Sequence, residues 1–317
     1  MIQGARILIT GGAGFIASHL IERIAGENQI VIYDNMKRNA FQYSALNKHP
    51  NIRLVEGDVL DAAKLAECMQ GIDICIHAAA IAGIYSVGDS ITRTMKVNLI
   101  GCYNALEAAT AAKVSRFMDF STSEIYGPFV YRGKEDDRAS VGPASERRWI
   151  YAISKLAGEH FAHAYGSDFG LKVVTVRPFN VYGPRQVGEG AIQQMVGRAL
   201  KNEDITVFND GTQIRSWCYV DDFVDAFIAA MESDKAIGEV FNIGNPQATT
   251  TVLGLAETII RLSGTLSGIS FKPHPGPEVE MRVPDISKGR EMLGFHPNVG
   301  LEEGLRRSID WYRSHQN

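Results

Sequence analysis

The chain has 317 residues, 45% of them hydrophobic and 21% charged, with a net charge of −4. That balance excludes a general electrostatic attraction to nucleic acid or to an anionic membrane surface, and no apolar run reaches the roughly 18 residues needed to span a bilayer. The length suits one large α/β unit or two closely joined domains. Cys68, Cys75, Cys102 and Cys218 lack Cys-x-x-Cys spacing and fall inside predicted elements, so reduced, buried thiols in a cytoplasmic protein are expected, with no metal site. The first strand begins almost at Met1, which leaves no room for a signal peptide.

Residues 5–10 (ARILIT) read as a short apolar strand. Gly11-Gly12-Ala13-Gly14-Phe15-Ile16-Ala17 follows at once, then a helical run to about residue 25 and a second apolar run at 30–33 that ends in Asp34. Strand, glycine turn, helix, strand and acid together make a dinucleotide site. Gly11 permits the tight turn, and Gly14 lets backbone N–H groups approach a pyrophosphate at the helix N-terminus. Phe15, Ile16 and Asn35 flank these positions and are counted with them. Asp34 can accept both hydroxyls of the adenosine ribose and would repel a 2′-phosphate, so the expected cofactor is NAD rather than NADP.

Further strands are expected at 52–55, 72–77, 116–120 and 172–177, alternating with helices at 62–69, about 91–112, and 151–165. This alternation predicts an α/β fold, a Rossmann-like doubly wound parallel sheet. From about residue 180 the pattern loosens. A helix near 192–201, a strand at 205–208 and a terminal helix near 301–314 suggest a smaller substrate-binding domain that interleaves with the first. The division falls at 1–179 and 180–317.

Gly57-Asp58-Val59 follows the third strand, where Asp58 and the Val59 amide could address the adenine edge. His77-Ala78-Ala79-Ala80 ends the fourth strand, with small residues that let backbone lie against the cofactor; His77 itself is assigned no chemistry. Phe120-Ser121-Thr122-Ser123-Glu124 ends the fifth, at the edge that faces a cofactor crevice in such sheets. Burial could lift Glu124 into the range of a general acid or base. Tyr151 and Lys155 stand one helical turn apart on one face. A nearby ammonium and a cationic nicotinamide ring can lower a tyrosine hydroxyl towards roughly 7, making it a base for a sugar hydroxyl. Tyr33 and Lys37 share that spacing, but they lie at the adenosine end beside Asp34.

With these segments, Asn98, and Arg177-Pro178-Phe179-Asn180-Val181-Tyr182-Gly183-Pro184, the chain resembles the extended short-chain dehydrogenase/reductases of the NAD-dependent epimerase/dehydratase family, which act on nucleotide sugars. The resemblance covers nearly the whole chain. It implies that Asn98, Ser121 and Pro178 join the cofactor site, that Asn180 and Arg215 contact a sugar-nucleotide diphosphate, and that Thr122 and Ser123 act beside Tyr151. It also implies a homodimer paired through the helices near 91–112 and 151–165. Thr122-Ser123-Glu124 resembles UDP-glucuronate decarboxylases and GDP-mannose dehydratases more than simple 4-epimerases. Arg148-Trp149-Ile150-Tyr151 and Val279-Glu280-Met281-Arg282 resemble the UDP-glucuronate decarboxylase of lipid A modification, where the residue matching Arg282 serves the active site. All three outcomes pass through a 4-keto sugar. Epimerase and decarboxylase chemistry stand level, a 4,6-dehydratase comes behind them, and a non-catalytic NAD-sensing regulator is the alternative of another class.

Overall fold

The structure, a computed structural model, describes residues 2–274 and 276–315. Seven strands form the main sheet: β1 (Arg6–Thr10), β2 (Gln29–Asp34), β3 (Ile52–Glu56), β4 (Ile74–His77), β5 (Arg116–Phe120), β6 (Val173–Pro178) and β7 (Val240–Ile243). Their order is β7-β6-β5-β4-β1-β2-β3, and every neighbouring pair is parallel. The order reverses at β1, and in open α/β sheets ligands bind at such a switch point. Alternation along each strand divides the core. Ile7 and Ile9 of β1 pack with Ile30, Ile32 and Ile76 on one side, while Leu8 joins Tyr33, Cys75 and Phe117 on the other. All four cysteines are free and buried.

The elements expected as far as β6 form within a few residues of their predicted limits. The run at 91–112 is helical throughout but includes a π turn, Lys96–Ile100, between Ile91–Met95 and Gly101–Ala111. Such turns cluster at functional sites. The helix carrying Tyr151 spans Trp149–Phe169 and stops at Gly170, whose φ of +70° closes the last turn. The chain after residue 180 is more regular than its pattern suggests. Helices span Val220–Glu232 and Val252–Ser263, and Val240–Ile243 becomes the outer strand of the main sheet. Phe223, Val224, Phe227, Ala230 and Met231 do carry helical spacing, whereas the short run of β7 is a strand only because β6 lies beside it.

A smaller sheet has the order Thr249–Thr251, Ile214–Ser216, Met281–Pro284, Phe129–Gly133. Its strands come from distant parts of the chain and set Arg215 directly opposite Arg282. Arg177 of β6 ties this region to the main sheet. Its Nε donates to Glu159 of the long helix at 3.2 Å, and its Nη1 donates to the Tyr126 hydroxyl at 2.7 Å and to the Glu135 carbonyl at 2.8 Å. Removing one partner from a buried ion pair of this kind costs about 3–5 kcal/mol.

Candidate active site

The glycine turn lies where β1 meets its helix. Gly11 has φ +71°, and a Cβ there would come within 2.7 Å of the Ala79 backbone nitrogen. No other residue fits without moving the backbone after β4. Gly14 is the extended N-cap of helix Phe15–Ile24, whose free N–H groups favour an anion. Asp34 accepts from the Ala13 N–H at 3.0 Å and the Met36 N–H at 2.8 Å, which fastens the turn to β2. Burial raises its pKa, against those backbone donors. Each carboxylate oxygen keeps a further lone pair for a ribose hydroxyl.

A cleft of about 610 Å³ runs along this edge, lined by Gly11, Gly14, Phe15, Ile16, Asp34, Asn35, Val59 and Ala78-Ala79-Ala80. Its size is that of a small-molecule site. Ser121 at the end of β5 has a buried Oγ with no hydrogen-bond partner among the described residues, a group that a bound ligand would satisfy. The turn, the acid, the cleft and this hydroxyl fit NAD. If Asp34 addresses the ribose, calorimetry should show NAD binding at least about tenfold tighter than NADP, roughly 1.4 kcal/mol. Equal affinities would remove Asp34 from that role.

Two expected cofactor contacts have other partners in this structure. The Asp58 carboxylate pairs with Arg93 at 2.9 Å and accepts from the Leu60 N–H. Asn98, on the π turn, bonds both backbone groups of Ile81 and donates to Ser154 Oγ at 3.0 Å. It thereby ties the loop after β4 to the helix of Tyr151. Pro178 closes β6, half-buried. Tyr33, the other tyrosine at this spacing, is buried and donates to the Asp58 carbonyl.

At the other end of the crevice, the Thr122 side chain acts on the Tyr151 hydroxyl, and Thr122 Oγ1 accepts from the Glu124 N–H at 3.2 Å. Ser123 is buried beside them. Burial, then the Glu124 carboxylate, pushes the Tyr151 hydroxyl up to about 12, against the effects of Thr122 and the Arg282 cation. The protein's own groups thus hold the hydroxyl above its ordinary value rather than near the expected 7. Lys155, one turn further along, is buried.

Glu124 also departs from expectation. Burial does push its carboxyl up, but Arg282, Arg148 and Arg215 outweigh that effect and hold it below the usual carboxylate range. Arg282 and Arg148 both donate to it, Arg148 at 3.3 Å. It is an ionised counter-charge in this state, not a poised acid. Arg215 donates to the Val279 and Ile214 carbonyls, and burial followed by the neighbouring Arg282 pushes its pKa down to about 10. Asn180 adopts φ +40° and donates to the Ser216 carbonyl at 2.8 Å, beside Arg215.

Sequence spacing did not mark Arg148 as a site residue, although it lies three positions before Tyr151. Nor did it reveal the contact across the mouth of the cleft, where Glu189 accepts from Arg38 at 2.9 Å and from the Tyr85 and Ser86 N–H groups. Those partners are far apart in sequence, so no local pattern joins them.

A doubly wound sheet with a glycine turn, an acid after the second strand and a Tyr/Lys helix at its carboxyl edge defines a dinucleotide-dependent enzyme of the short-chain dehydrogenase type. The chain belongs to the NAD dependent epimerase/dehydratase family, whose model matches residues 7–244, and NAD is its cofactor. It is 36% identical over 322 residues to the UDP-N-acetyl-alpha-D-glucosaminuronate decarboxylase of Bacillus cytotoxicus, covering 98% of this chain and 99% of the relative. It is 34% identical to UDP-glucuronic acid decarboxylase 1 of Arabidopsis thaliana, over 98% of this chain and 70% of that one. Among solved structures, the UDP-glucuronic acid 4-epimerase of Bacillus cereus in complex with UDP-glucuronic acid and NAD superposes with a TM-score of 0.89 at 31% identity, covering 98% and 99% of the two chains.

Proposed function

We propose that the protein decarboxylates a UDP-linked uronic acid through a transient 4-keto sugar, using NAD. The observation that carries this reading is the clamp of Arg148, Arg282 and Arg215 around the single carboxylate of Glu124 beside Tyr151. The three arginines outnumber the carboxylates that act on them, Glu124 and, on Arg215, Glu278, and the surplus positive charge suits a substrate with a diphosphate at one end and a carboxylate at the other. The decarboxylase and glucuronate epimerase relatives, by their names, act on such sugars.

In this reading Tyr151 takes the proton of the C4 hydroxyl, with Thr122 sharing that hydroxyl and Lys155 stabilising the tyrosinate. NAD, when bound, supplies the hydride acceptor for C4. The C5–C6 bond then breaks; its electron pair passes through C5 to the C4 oxygen as CO2 leaves. The Tyr151 hydroxyl steadies that oxygen, and a proton returns to C5. The hydride then returns to C4 as Tyr151 gives its proton back to the C4 oxygen, so the net change is loss of CO2. Residues 1–179 hold NAD, with Asp58, Asn98 and Pro178 in its surroundings, while 180–317 supply most of the sugar-nucleotide contacts, including Asn180, Arg215 and Arg282. The test is incubation of the protein and NAD with a panel of UDP-, GDP-, CDP- and dTDP-linked sugars and uronates, read by mass spectrometry. Loss of the mass of CO2 supports the proposal. Unchanged mass with a new NMR signal identifies 4-epimerisation instead, the second reading, which the Bacillus cereus structure favours. Loss of water identifies the dehydratase.

We place the protein in the cytoplasm as a homodimer. No helix among the described residues is long and apolar enough to cross a membrane. Ile100, Tyr103 and Phe161 are exposed on the two helices expected to pair, with the Tyr103 and Phe161 rings 6.1 Å apart. Light scattering at micromolar concentration should return about twice 34.8 kDa; a single mass near 34.8 kDa rejects the dimer.

A further inference from the structure

A row of polar side chains crosses four strands beneath the reactive helix. The parallel register sets Thr10 of β1 beside His77 of β4, His77 beside Asp119 of β5, and Asp119 beside Thr175 of β6. All four are buried, with exposures of 0%, 0%, 1% and 0%. The ends of the row are bonded. Thr10 Oγ1 lies 2.8 Å from His77 Nδ1, and Thr175 Oγ1 donates to Asp119 Oδ2 at 3.4 Å. The middle is not. His77 Nε2 and Asp119 Oδ1 are both buried without a hydrogen-bond partner among the described residues, on side chains adjacent across β4 and β5.

Buried polar atoms of this kind are costly unless paired. Lys155 is 3% exposed and forms no ion pair among the described residues, and its charge acts on both His77 and Asp119. Glu159, one turn further along the same helix, is committed to Arg177. We propose that Asp119 is a positioning residue that serves as counter-charge to Lys155, with neutral His77 beside it in the strand register. This rests on the catalytic role given to Lys155 above.

The surrounding groups make Asp119 the titrating member. Burial keeps His77 neutral, pushed down to about 3, and pushes the Cys102 thiol of the flanking helix far up. Glu159 and Arg177 are locked together. Burial pushes Asp119 up to about 6, opposed by Lys155 and the Thr175 bond and reinforced by Glu159. Asp119 is then charged above about pH 6 and neutral below it, so turnover falls as pH drops through that point.

The experiment compares wild type, Asp119→Asn and Thr175→Val. Asn keeps the shape and one acceptor oxygen for Thr175 but not the charge. Turnover should fall about tenfold or more, as it commonly does when an outer-layer partner is lost, and the acid limb near pH 6 should disappear. Thr175→Val removes a bond that favours the ionised form, so its acid limb should move to higher pH. Infrared difference spectra of the NAD-bound protein between about pH 8 and about pH 5 should show a buried carboxyl titrating in wild type and absent from Asp119→Asn. An unaltered acid limb in both variants, or no such carboxyl in wild type, overturns the assignment. If wild type turns over no sugar nucleotide, the functional reading fails, and the infrared titration still decides for or against Asp119.

Discussion

Replacing Tyr151 by Phe should lower turnover by about 10² or more, the usual scale for a positioned acid/base group, while NAD affinity and the fold survive. Only the hydroxyl beside Thr122 is removed, and the ring keeps its place on the long helix. Thr122→Val should reduce activity as well, because it deletes the partner oxygen. The pKa supplies a second readout. With the hydroxyl pushed up to about 12 by burial and by Glu124, the protein stripped of cofactor should show no tyrosinate absorbance from Tyr151 at neutral pH. Saturation with oxidised NAD should bring some in, and Tyr151→Phe should abolish that increment. Full turnover of the Phe variant on the correct substrate would exclude tyrosinate as the base.

Glu124→Gln should separate the first chemical step from the second. The oxidation at C4 belongs to Tyr151, so it should persist. Carbon dioxide release should drop by about 10² or more if the carboxylate is needed there, and reduced cofactor should then accumulate in a single turnover. The structure adds a reason for the sensitivity. Among the described residues Glu124 is the one carboxylate bonded to both Arg282 and Arg148, and a neutral amide leaves three arginines facing one another, which costs both geometry and stability. Stopped-flow absorbance followed by mass spectrometry of the product checks the order of events. A variant that decarboxylates at the wild-type rate would assign Glu124 to structure alone, and an enzyme that only epimerises would keep turning over.

The cofactor half of the protein was legible in the sequence because its signals are local. Thr10 to Asp34 is one continuous strand-turn-helix-strand unit. Gly11 must be glycine, because a positive φ and the nearby Ala79 backbone both act at that position. Tyr151 and Lys155 lie on one helical face by spacing alone, and the alternation of strands and helices as far as residue 178 was enough for a doubly wound sheet. Pairing across strands and helices decided the rest. Arg215 and Arg282 are 67 positions apart, yet stand side by side because two short strands run parallel. Glu124 reads as a potential acid in isolation and becomes a clamped anion only when Arg148 and Arg282 reach it. The Thr10–His77–Asp119–Thr175 row exists only in the register of four strands. Spacing along a chain specifies what a helix or turn places together within a few residues. The electrostatics of a buried group depend on every charge around it, and those charges are gathered by the fold.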